Sequence, residues 1–524
     1  MQDEGVGVMT EPIPLHPGNL SLPQLRRIWQ GARVVPDPGA RPAVEAARAV
    51  VTGICAGDAG IYGVNTGFGK LAQTRIPADQ LATLQHNLVR SHAAGMGPPL
   101  PLPVVRLVLV LKINALAQGH SGVRWELVDA LTRLLAHDVL PEIPAQGSVG
   151  ASGDLAPLAH MSLVLLGEGA AQRDGARVSG ADGLAAAGLA PMTLAAKEGL
   201  ALLNGTQVST ALALDALFRV EDAFGAAVTA GAMSVDAAMA SARPFDTRIQ
   251  ALRGQAGQRR VAAVYAELLR DSGIVAAHAN CGKIQDPYCL RCQPQVMGAC
   301  LDAMSAVAAT LAAEANAVTD NPLIFPETGE VVSGGNFHAE PVAQAADRLA
   351  VAATEIANIA ERRIALLIDS QFSGLPPFLV AEPGVNSGFM MAQVTAAALV
   401  SEMKSLAHPA SVDSIPTSAN QEDHVSMATH AARRCGDLAA NLRRVVAIEL
   451  MAAAQGIDFR RPLTSTPALE AAHARIRTAV PFYATDRYMA RDIAATEPVM
   501  TDAAIAGPAR PLLPSSGGDR DRSA

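Results

Sequence analysis

The sequence predicts a mainly α-helical fold built from long helices. Apolar residues recur at helical spacing through much of the second half of the chain. The clearest stripe has steps of three, four and seven residues and consists of Leu349, Ala352, Ile356, Ala360 and Leu367. Similar stripes run through 296–318, 390–406 and 425–455. Strand-like alternation is short and scarce, as at 177–179, so Ala-rich helices of roughly 20 to 30 residues favour a long-helix bundle.

The composition indicates a globular protein with a large core. Half of the 524 residues are apolar and 17% are charged. The net charge of −8 provides no basic surface for nucleic acid. The longest uncharged run, 383–401, contains several polar residues, which favours a buried core helix over a membrane span. The first fifteen residues have acidic side chains and no apolar leader segment, so we expect a cytoplasmic protein.

Punctuation by Gly and Pro suggests four parts of the chain. Residues 1–20 are rich in Pro, Gly and acids and are expected to form a flexible lead. Residues 21–197 are expected to form a loop-rich N-terminal domain, with early helices at 43–55, 107–116 and 127–135, and 198–506 the long-helix domain. Residues 507–524 have no core-forming pattern and are expected to be a disordered tail.

One stretch has unusual chemical potential, Gly147-Ser-Val-Gly-Ala-Ser-Gly-Asp-Leu-Ala-Pro-Leu-Ala-His160. Its glycines permit sharp backbone conformations with positive φ. If the nitrogen of Gly153 attacks the carbonyl of Ala151, a five-membered ring closes with loss of water. Loss of a second water from Ser152 leaves an exocyclic methylene, which is an electrophile. A bare Ala-Ser-Gly triplet is more often a simple turn.

The whole stretch, however, resembles the signature of the aromatic amino-acid ammonia-lyases. The resemblance implies a helical fold of the ammonia-lyase/fumarase-like type, with the loop-rich N-terminal part carrying a 4-methylidene-imidazol-5-one formed from Ala151, Ser152 and Gly153. It implies no metal or nucleotide cofactor. The motif loop of the fumarase and argininosuccinate-lyase group is absent from the sequence.

A second motif, Tyr62-Gly-Val-Asn-Thr-Gly-Phe-Gly69, provides a candidate base. It resembles the N-terminal motif of the family, in which the corresponding tyrosine is the catalytic acid/base. A phenol has an ordinary pKa near 10 and would need a lower value to act at neutral pH. The alternative is a tyrosine that merely fills a Gly-rich loop.

Two positions resemble those that select the substrate in the family. The pair Ser91-His92 is similar to the pair in histidine-specific members, and His92 could hydrogen-bond an imidazole. Glu422, in Asn-Gln421-Glu-Asp-His424, is the residue that histidine-specific members have, where phenylalanine and tyrosine enzymes usually have Gln. A carboxylate suits a ring with an N–H donor and is costly against a phenyl ring. The alternative for Glu422 is an acidic residue at a helix start.

Further motifs complete the resemblance over residues 60–430. Asn204-Gly-Thr-Gln207 places Asn204 against the prosthetic group and the substrate carboxylate, although Asn-Gly is also a common turn. In Gln285-Asp-Pro-Tyr288-Cys-Leu-Arg291, the arginine is suited to a carboxylate, and Gln285 and Tyr288 resemble residues that position the amine and the ring. In Ser333-Gly-Gly-Asn-Phe337, the phenylalanine corresponds to a pocket wall, although an ordinary core position is equally consistent.

The resemblance therefore implies non-oxidative deamination of L-histidine to trans-urocanate and ammonia, the first step of histidine breakdown. It also implies a homotetramer whose active sites are shared between chains. The sequence leaves open whether the electrophile reacts with the amine or with the ring. The alternatives are a phenylalanine or tyrosine ammonia-lyase, an aminomutase, and a non-catalytic structural relative. A zinc protein using four cysteines is a weaker alternative; these are Cys281, Cys289, Cys292 and Cys300.

Overall fold

The computed structural model describes residues 11–57, 60–277 and 284–517. These residues are mainly α-helical, which confirms the predicted fold class. The first eight helices are α1 (Leu22–Trp29), α2 (Arg41–Ala56), α3 (Leu81–His92), α4 (Leu102–Leu116), α5 (Trp125–Ala136), α6 (Leu155–Leu163), α7 (Gly180–Ala186) and α8 (Glu198–Leu203).

The later helices include the longest ones. They are α9 (Gln207–Ala237), α10 (Thr247–Arg253), α11 (Ala256–Leu268), α12 (Gly273–Ala277), α13 (Tyr288–Arg291), α14 (Gln293–Ala315), α15 (Glu340–Ile368), α16 (Ser370–Ser373), α17 (Met390–Leu406), α18 (Ala428–Asp458), α19 (Pro467–Ala479), α20 (Met489–Thr496) and α21 (Ala503–Ala506). The stripe along α15 is buried as its spacing predicts, with Leu349, Ile356 and Leu367 at 0% exposure.

The strands are short and form small sheets. They are β1 (Ile13–Leu15), β2 (Val34–Pro36), β3 (Met96–Pro99), β4 (Leu140–Pro141), β5 (Pro144–Gln146), β6 (Ala170–Arg173), β7 (Ala176–Ser179), β8 (Leu323–Phe325) and β9 (Glu330–Val332). The β1–β2 pair is parallel. The other pairings, β3–β5, β4–β6–β7 and β8–β9, are antiparallel.

The chain divides into two compact units, each made of three stretches. Unit 1 comprises Met1–Asp215, Ala309–Ala346 and Pro409–Arg433. Unit 2 comprises Ala216–Ala308, Asp347–His408 and Arg434–Ala524. The division into consecutive domains, 21–197 and 198–506, stays a prediction.

The core of unit 1 forms around α4. This helix is apolar on nearly all sides, and its residues from Leu107 to Leu116 are all buried. A helix without a polar face is stable only when it is covered by other elements. Here α1 and α5 pack against α4, while α3, α6 and α8 pack against one another. The single lysine in this buried stretch, Lys112, is 1% exposed.

Unit 2 contains an ion pair that connects three of its long helices. Arg363 on α15 and Glu449 on α18 are both fully buried and make two contacts, at 2.5 and 2.8 Å. The hydroxyl of Ser234 on α9 donates to the same carboxylate at 2.9 Å. A buried ion pair costs desolvation energy, so its main contribution is to specify which helix faces meet.

The described residues nearest both ends, 11–20 and 507–517, are more ordered than the sequence suggested. Residues 11–20 include β1, whose Ile13 and Leu15 are buried. Residues 507–512 form a 3₁₀ helix, and Ser515 donates to Glu221 through its backbone N–H at 3.2 Å and also through its hydroxyl. The buried Leu512 and Leu513 are enough apolar surface to dock this segment. The expected disorder of 1–10 and 518–524 concerns residues outside those that the structure describes.

The described ranges contain one helix that is long and apolar enough to cross a membrane, α14. Its best window has a mean hydropathy of 1.6, and 44% of that window is buried. Core helices of globular proteins pass the same test, so the feature is weak evidence for a membrane span. The run at 383–401, which raised the same question in the sequence, contains the start of α17.

Candidate active site

The Ala151-Ser152-Gly153 triplet lies in a loop of unit 1 between β5 and α6. Three glycines of this loop have left-handed backbone conformations, with φ of 127° at Gly147, 64° at Gly150 and 75° at Gly153. A Cβ at Gly153 would lie 2.3 Å from the carbonyl oxygen of Gly205. Only glycine therefore fits at the third position of the triplet, both in conformation and in space.

Asp154 holds the triplet loop in place through hydrogen bonds in the interior of unit 1. Its carboxylate is fully buried and accepts from the backbone N–H groups of Val208 and Ser209, at 3.0 and 2.8 Å. The hydroxyls of Ser148, Ser209 and Thr429 also donate to it, at 2.9, 3.0 and 2.6 Å. These five bonds satisfy the buried charge, and two of them use the free N–H groups at the start of α9.

Asn204 contacts the triplet directly. It follows the last residue of α8 and is 4% exposed. Its side-chain nitrogen donates to the carbonyl oxygen of Ser152 at 2.7 Å. Its side-chain oxygen is buried and has no hydrogen-bond partner among the described residues. A buried amide oxygen without a partner is unusual and is expected to have a functional reason.

Glu422 contacts the triplet through the side chain of Ser152. The hydroxyl of Ser152 donates to one of its carboxylate oxygens at 3.4 Å. The other oxygen is buried and unpartnered within the described part of the chain. Just before it, Ser418, Ala419 and Asn420 all have left-handed φ, at 50°, 55° and 65°. Three consecutive non-glycine residues in this region are strained, and such strain clusters at functional loops.

The segment after Glu422 is hydrogen-bonded to backbone carbonyls of the triplet loop. Ser426 donates from its hydroxyl to the carbonyl of Gly150 at 2.8 Å. The N–H of Met427 donates to the carbonyl of Val149 at 2.8 Å. These two contacts hold the segment that follows Glu422 on the triplet loop.

Tyr62 lies in a tight turn that packs near Asn204. It is half-buried. The next residue, Gly63, has φ of 74°, and a Cβ there would lie 2.5 Å from Pro322 and 2.9 Å from Leu200. Because Leu200 belongs to α8, the Tyr62 turn rests on the helix that ends beside Asn204.

Phe337 lies in a turn beside the triplet loop and is half-buried. Two residues later, the N–H of Ala339 donates to the carbonyl of Gly150 at 3.3 Å. Phe337 is therefore two residues away from a backbone contact with the triplet loop, and its role as a pocket wall stays a prediction.

His92 is the last residue of α3. Its Nδ1 lies 2.8 Å from the carbonyl oxygen of Leu88 and 3.1 Å from the hydroxyl of Ser91. A carbonyl only accepts, so Nδ1 carries a proton and Nε2 of the neutral ring is an acceptor. Burial lowers the pKa of His92, which favours this neutral form.

The three remaining site residues lie in unit 2, on α13 and just before it. Tyr288 is 71% exposed, and the guanidinium of Arg291 lies over its ring at 4.4 Å from the centroid. With its amide oxygen towards Arg291, Gln285 accepts from both terminal guanidinium nitrogens, at 2.8 and 3.2 Å. The Nε of Arg291 is buried, and no described residue accepts from it.

The contacts thus bring Ser152, Asn204 and Glu422 together, with the turns of Tyr62 and Phe337 packed on the same part of unit 1. Gln285, Tyr288 and Arg291 form a separate cluster in unit 2. The sequence analysis missed Asp154 and Lys112. Asp154 stands inside the signature but reads as an ordinary helix start, and the signal for Lys112 is one charge in an apolar run.

No group of three potential metal-binding side chains occurs among the described residues. Of the four cysteines of the zinc hypothesis, Cys281 lies outside those residues. Burial raises the pKa of Cys300 to about 12 and also raises that of Cys289. Zinc binds thiolate, so these surroundings disfavour a ligand role for both.

Known proteins similar to this chain agree in family. Residues 20–478 match the aromatic amino acid lyase family. The chain is 62% identical over 493 residues to a histidine ammonia-lyase of Aromatoleum aromaticum, covering 94% of each protein. The crystal structure of histidine ammonia-lyase from Trypanosoma cruzi is similar with a TM-score of 0.88 and 40% identity, over 96% of each chain. A tyrosine aminomutase from Streptomyces globisporus is similar with a TM-score of 0.89 and 34% identity, over 95% of this chain and 98% of the other. The chain is therefore a member of the aromatic amino acid lyase family.

Proposed function

We propose that this chain deaminates L-histidine non-oxidatively to trans-urocanate and ammonia. The proposal rests on one observation above all: Ser152 of the Ala-Ser-Gly triplet is hydrogen-bonded to the Asn204 amide through its carbonyl and to the Glu422 carboxylate through its hydroxyl. The relatives that are 62% identical over nearly the whole chain carry the name histidine ammonia-lyase, which supports the same substrate.

The prosthetic group of this reaction is a 4-methylidene-imidazol-5-one made from Ala151, Ser152 and Gly153. The residues present fit the group. Gly153 has no side chain, and a Cβ there would collide with the backbone of Gly205. The buried Asn204 amide donates to the Ser152 carbonyl. When formed, the group supplies an electrophile towards either the amine or the imidazole ring of the substrate, and the surrounding residues serve both routes.

Recognition of the imidazole ring is assigned to His92 and Glu422. The neutral His92 has Nε2 available as an acceptor for a ring N–H. The second carboxylate oxygen of Glu422, without a partner in the described ranges, is a further acceptor. A neutral imidazole donates its one N–H to either acceptor and an imidazolium donates to both, whereas a phenyl ring would leave both acceptors without a donor.

Removal of the Cβ proton is assigned to Tyr62, whose turn packs against α8. The phenol is half-buried and belongs to a turn of fixed geometry, which suits a base that must be held at one atom of the substrate. Phe337 is assigned to one wall of the pocket, and Asn204 also to the carboxylate end of the substrate.

Arg291 is assigned to the substrate carboxylate, which a guanidinium binds with two parallel hydrogen bonds. Gln285 contacts both terminal nitrogens of Arg291 and so orients the fork. Tyr288 lies against the same guanidinium and is assigned a catalytic role at the substrate amine or ring.

We further propose a cytoplasmic homotetramer in which residues of different chains complete each active site. Tyr288 is 71% exposed, although a catalytic tyrosine works best when shielded from water. In a shared site a neighbouring chain would cover it. Dissociated single chains are then expected to be inactive.

The test is ultraviolet detection of urocanate from the purified protein and L-histidine. Ser152→Ala and L-phenylalanine are the controls, and chromatography for a β-amino acid tests the aminomutase alternative. Urocanate from the unaltered protein alone supports the proposal. Cinnamate from phenylalanine with no product from histidine would contradict the assignment of His92 and Glu422. A β-amino acid as main product would favour an aminomutase, and no product from either substrate a non-catalytic relative.

A further inference from the structure

Lys112 is a buried lysine for which neither the motifs nor the proposed mechanism supplies a role. It lies in the apolar helix α4 and is 1% exposed. Its Nζ donates to the backbone carbonyls of Asn204 at 2.8 Å and Ala201 at 3.1 Å. Burying an amine is costly, so these two bonds must offset a substantial desolvation energy.

The two carbonyls belong to the end of α8. The last carbonyls of a helix have no partners within the helix, and a lysine there satisfies them and interacts favourably with the helix dipole. The end of α8 is also where the chain turns to place Asn204. The backbone of Asn204 therefore contacts Lys112, while its side chain contacts the carbonyl of Ser152 at 2.7 Å.

We propose that Lys112 is a positioning residue that fixes the Asn204 backbone and so holds the Asn204 amide on the Ser152 carbonyl. In the unreacted triplet, this contact holds the peptide that must bend for ring closure. In the mature protein the same amide would contact the prosthetic group. The activity readout of this inference rests on the proposed function, whereas its conformational readout does not.

The surroundings of Lys112 fit an amine dedicated to carbonyls. Its charged neighbours are Asp154, Asp320 and Lys197. Asp154 already accepts five hydrogen bonds, Lys197 donates to one oxygen of Asp320 at 2.9 Å, and both hydrogen bonds of the Lys112 amine go to the carbonyls of Ala201 and Asn204. Burial lowers the pKa of Lys112 to about 7. Both the charged and the neutral amine have at least the two N–H donors that the two carbonyls require.

The test compares Lys112→Met with a matched control on the same helix. Met has a similar length and no donor. The control is Asn114→Leu, because Asn114 is also fully buried on α4 but contacts Ala315 and Gly18 instead. Three quantities are measured on the full-length protein. They are the fraction of chains whose 151–153 peptide has lost the mass of two waters, the kcat per formed ring, and amide hydrogen exchange over 201–206.

In Lys112→Met we expect the dehydrated fraction early after synthesis and the kcat per formed ring to fall about tenfold, the effect of losing one or two buried hydrogen bonds. Exchange over 201–206 should become faster. Asn114→Leu should leave the dehydrated fraction, the kcat and the exchange over 201–206 unchanged, apart from any change that its own lower stability causes. Equal effects in both variants, or unchanged exchange over 201–206 in Lys112→Met, would overturn the proposal.

A second variant keeps the test decisive if Lys112→Met does not fold. Lys112→Gln retains a shorter donor, and we expect values between those of the unaltered protein and complete loss. Exchange over 201–206 equal to that of the unaltered protein would again contradict the positioning role. If the unaltered protein forms no ring, the proposed function fails, while the exchange measurement still decides the role of Lys112.

Discussion

The two groups of site residues differ in how completely their own unit satisfies them. In unit 1 the residues of the Ser148–Asp154 loop are buried or half-buried, and the Asp154 carboxylate alone accepts five hydrogen bonds. In unit 2 the segment from Gln285 to Arg291 has an exposed Tyr288, and the contacts of Arg291 are with its own neighbours Gln285 and Tyr288. The Asp154 carboxylate in the first region is hydrogen-bonded like a group in a protein interior, whereas Tyr288 in the second region is exposed like a residue of a binding surface.

The difference indicates two kinds of function. A loop that must form a covalent group needs one fixed backbone geometry, which buried hydrogen bonds provide. A segment that binds a substrate or a neighbouring chain keeps its donors available until binding occurs. Changes in the first region should therefore affect ring formation and stability, and changes in the second should affect binding.

The largest effect is expected for Ser152→Ala, which removes the hydroxyl that must leave. Activity should fall at least about 1,000-fold, as when a covalent catalytic group is lost. The peptide containing 151–153 should retain the mass that the unaltered protein loses. Ser162→Ala is the control, since its hydroxyl donates only to Leu158 within α6. Full turnover by Ser152→Ala would show that the triplet is not the electrophile.

Asp154→Asn tests the rigidity of the loop. An amide nitrogen cannot accept, so either the hydroxyls of Ser148 and Thr429 must turn to accept from it, or the N–H groups of Val208 and Ser209 lose their acceptor. In both cases the buried bonds lose the charge that strengthens them. We expect the free energy of unfolding to fall by about 2–4 kcal/mol. Denaturation of both proteins at one protein concentration measures the change, and the exposed Asp423→Asn is the control. Equal stability would mean that these bonds do not hold the loop.

Arg291→Lys tests the open region. A lysine keeps the charge but loses the two-pronged geometry, so KM for L-histidine should rise about 10- to 100-fold with little change in stability. Arg253→Lys, at the exposed last position of α10, should leave KM unchanged. If stability falls instead of affinity, Arg291 is a structural residue and the contrast between the two regions is wrong.

Glu422→Gln should have the smallest effect of the four, because it keeps the shape of the side chain. Loss of the carboxylate should lower the ratio of kcat/KM for histidine over that for phenylalanine by about tenfold. Competition between the two substrates measures this ratio. Asp423→Asn beside it should not change the ratio, and an unchanged ratio in Glu422→Gln would remove this residue from substrate selection.

The sequence predicts the helical fold well because its stripes repeat over many turns, and α15 buries the residues the stripe names. It also contains the motif residues that meet at Ser152. It could not identify Lys112, because nothing in the sequence of α4 indicates which distant carbonyls the amine contacts. The described part of the tail, 507–517, was misjudged for a similar reason. Leu512, Leu513 and Ser515 form no recognisable sequence pattern. In the structure, however, both leucines are buried and Ser515 hydrogen-bonds Glu221. The roles of the site residues stay predictions.

The bonds of Asp154 also determine when, during synthesis, the loop can take its final form. Thr429 lies 275 residues beyond Asp154 in the chain, and Ser426 lies 276 beyond Gly150. At an ordinary elongation rate, a ribosome needs roughly 15 to 55 seconds to cover that distance. Until then the triplet lacks the partners that shape it. During most of translation, Ser152 would therefore remain an ordinary serine that does not react with cellular nucleophiles. The proposed electrophilic carbon would form only after residues 426–429 have been synthesised.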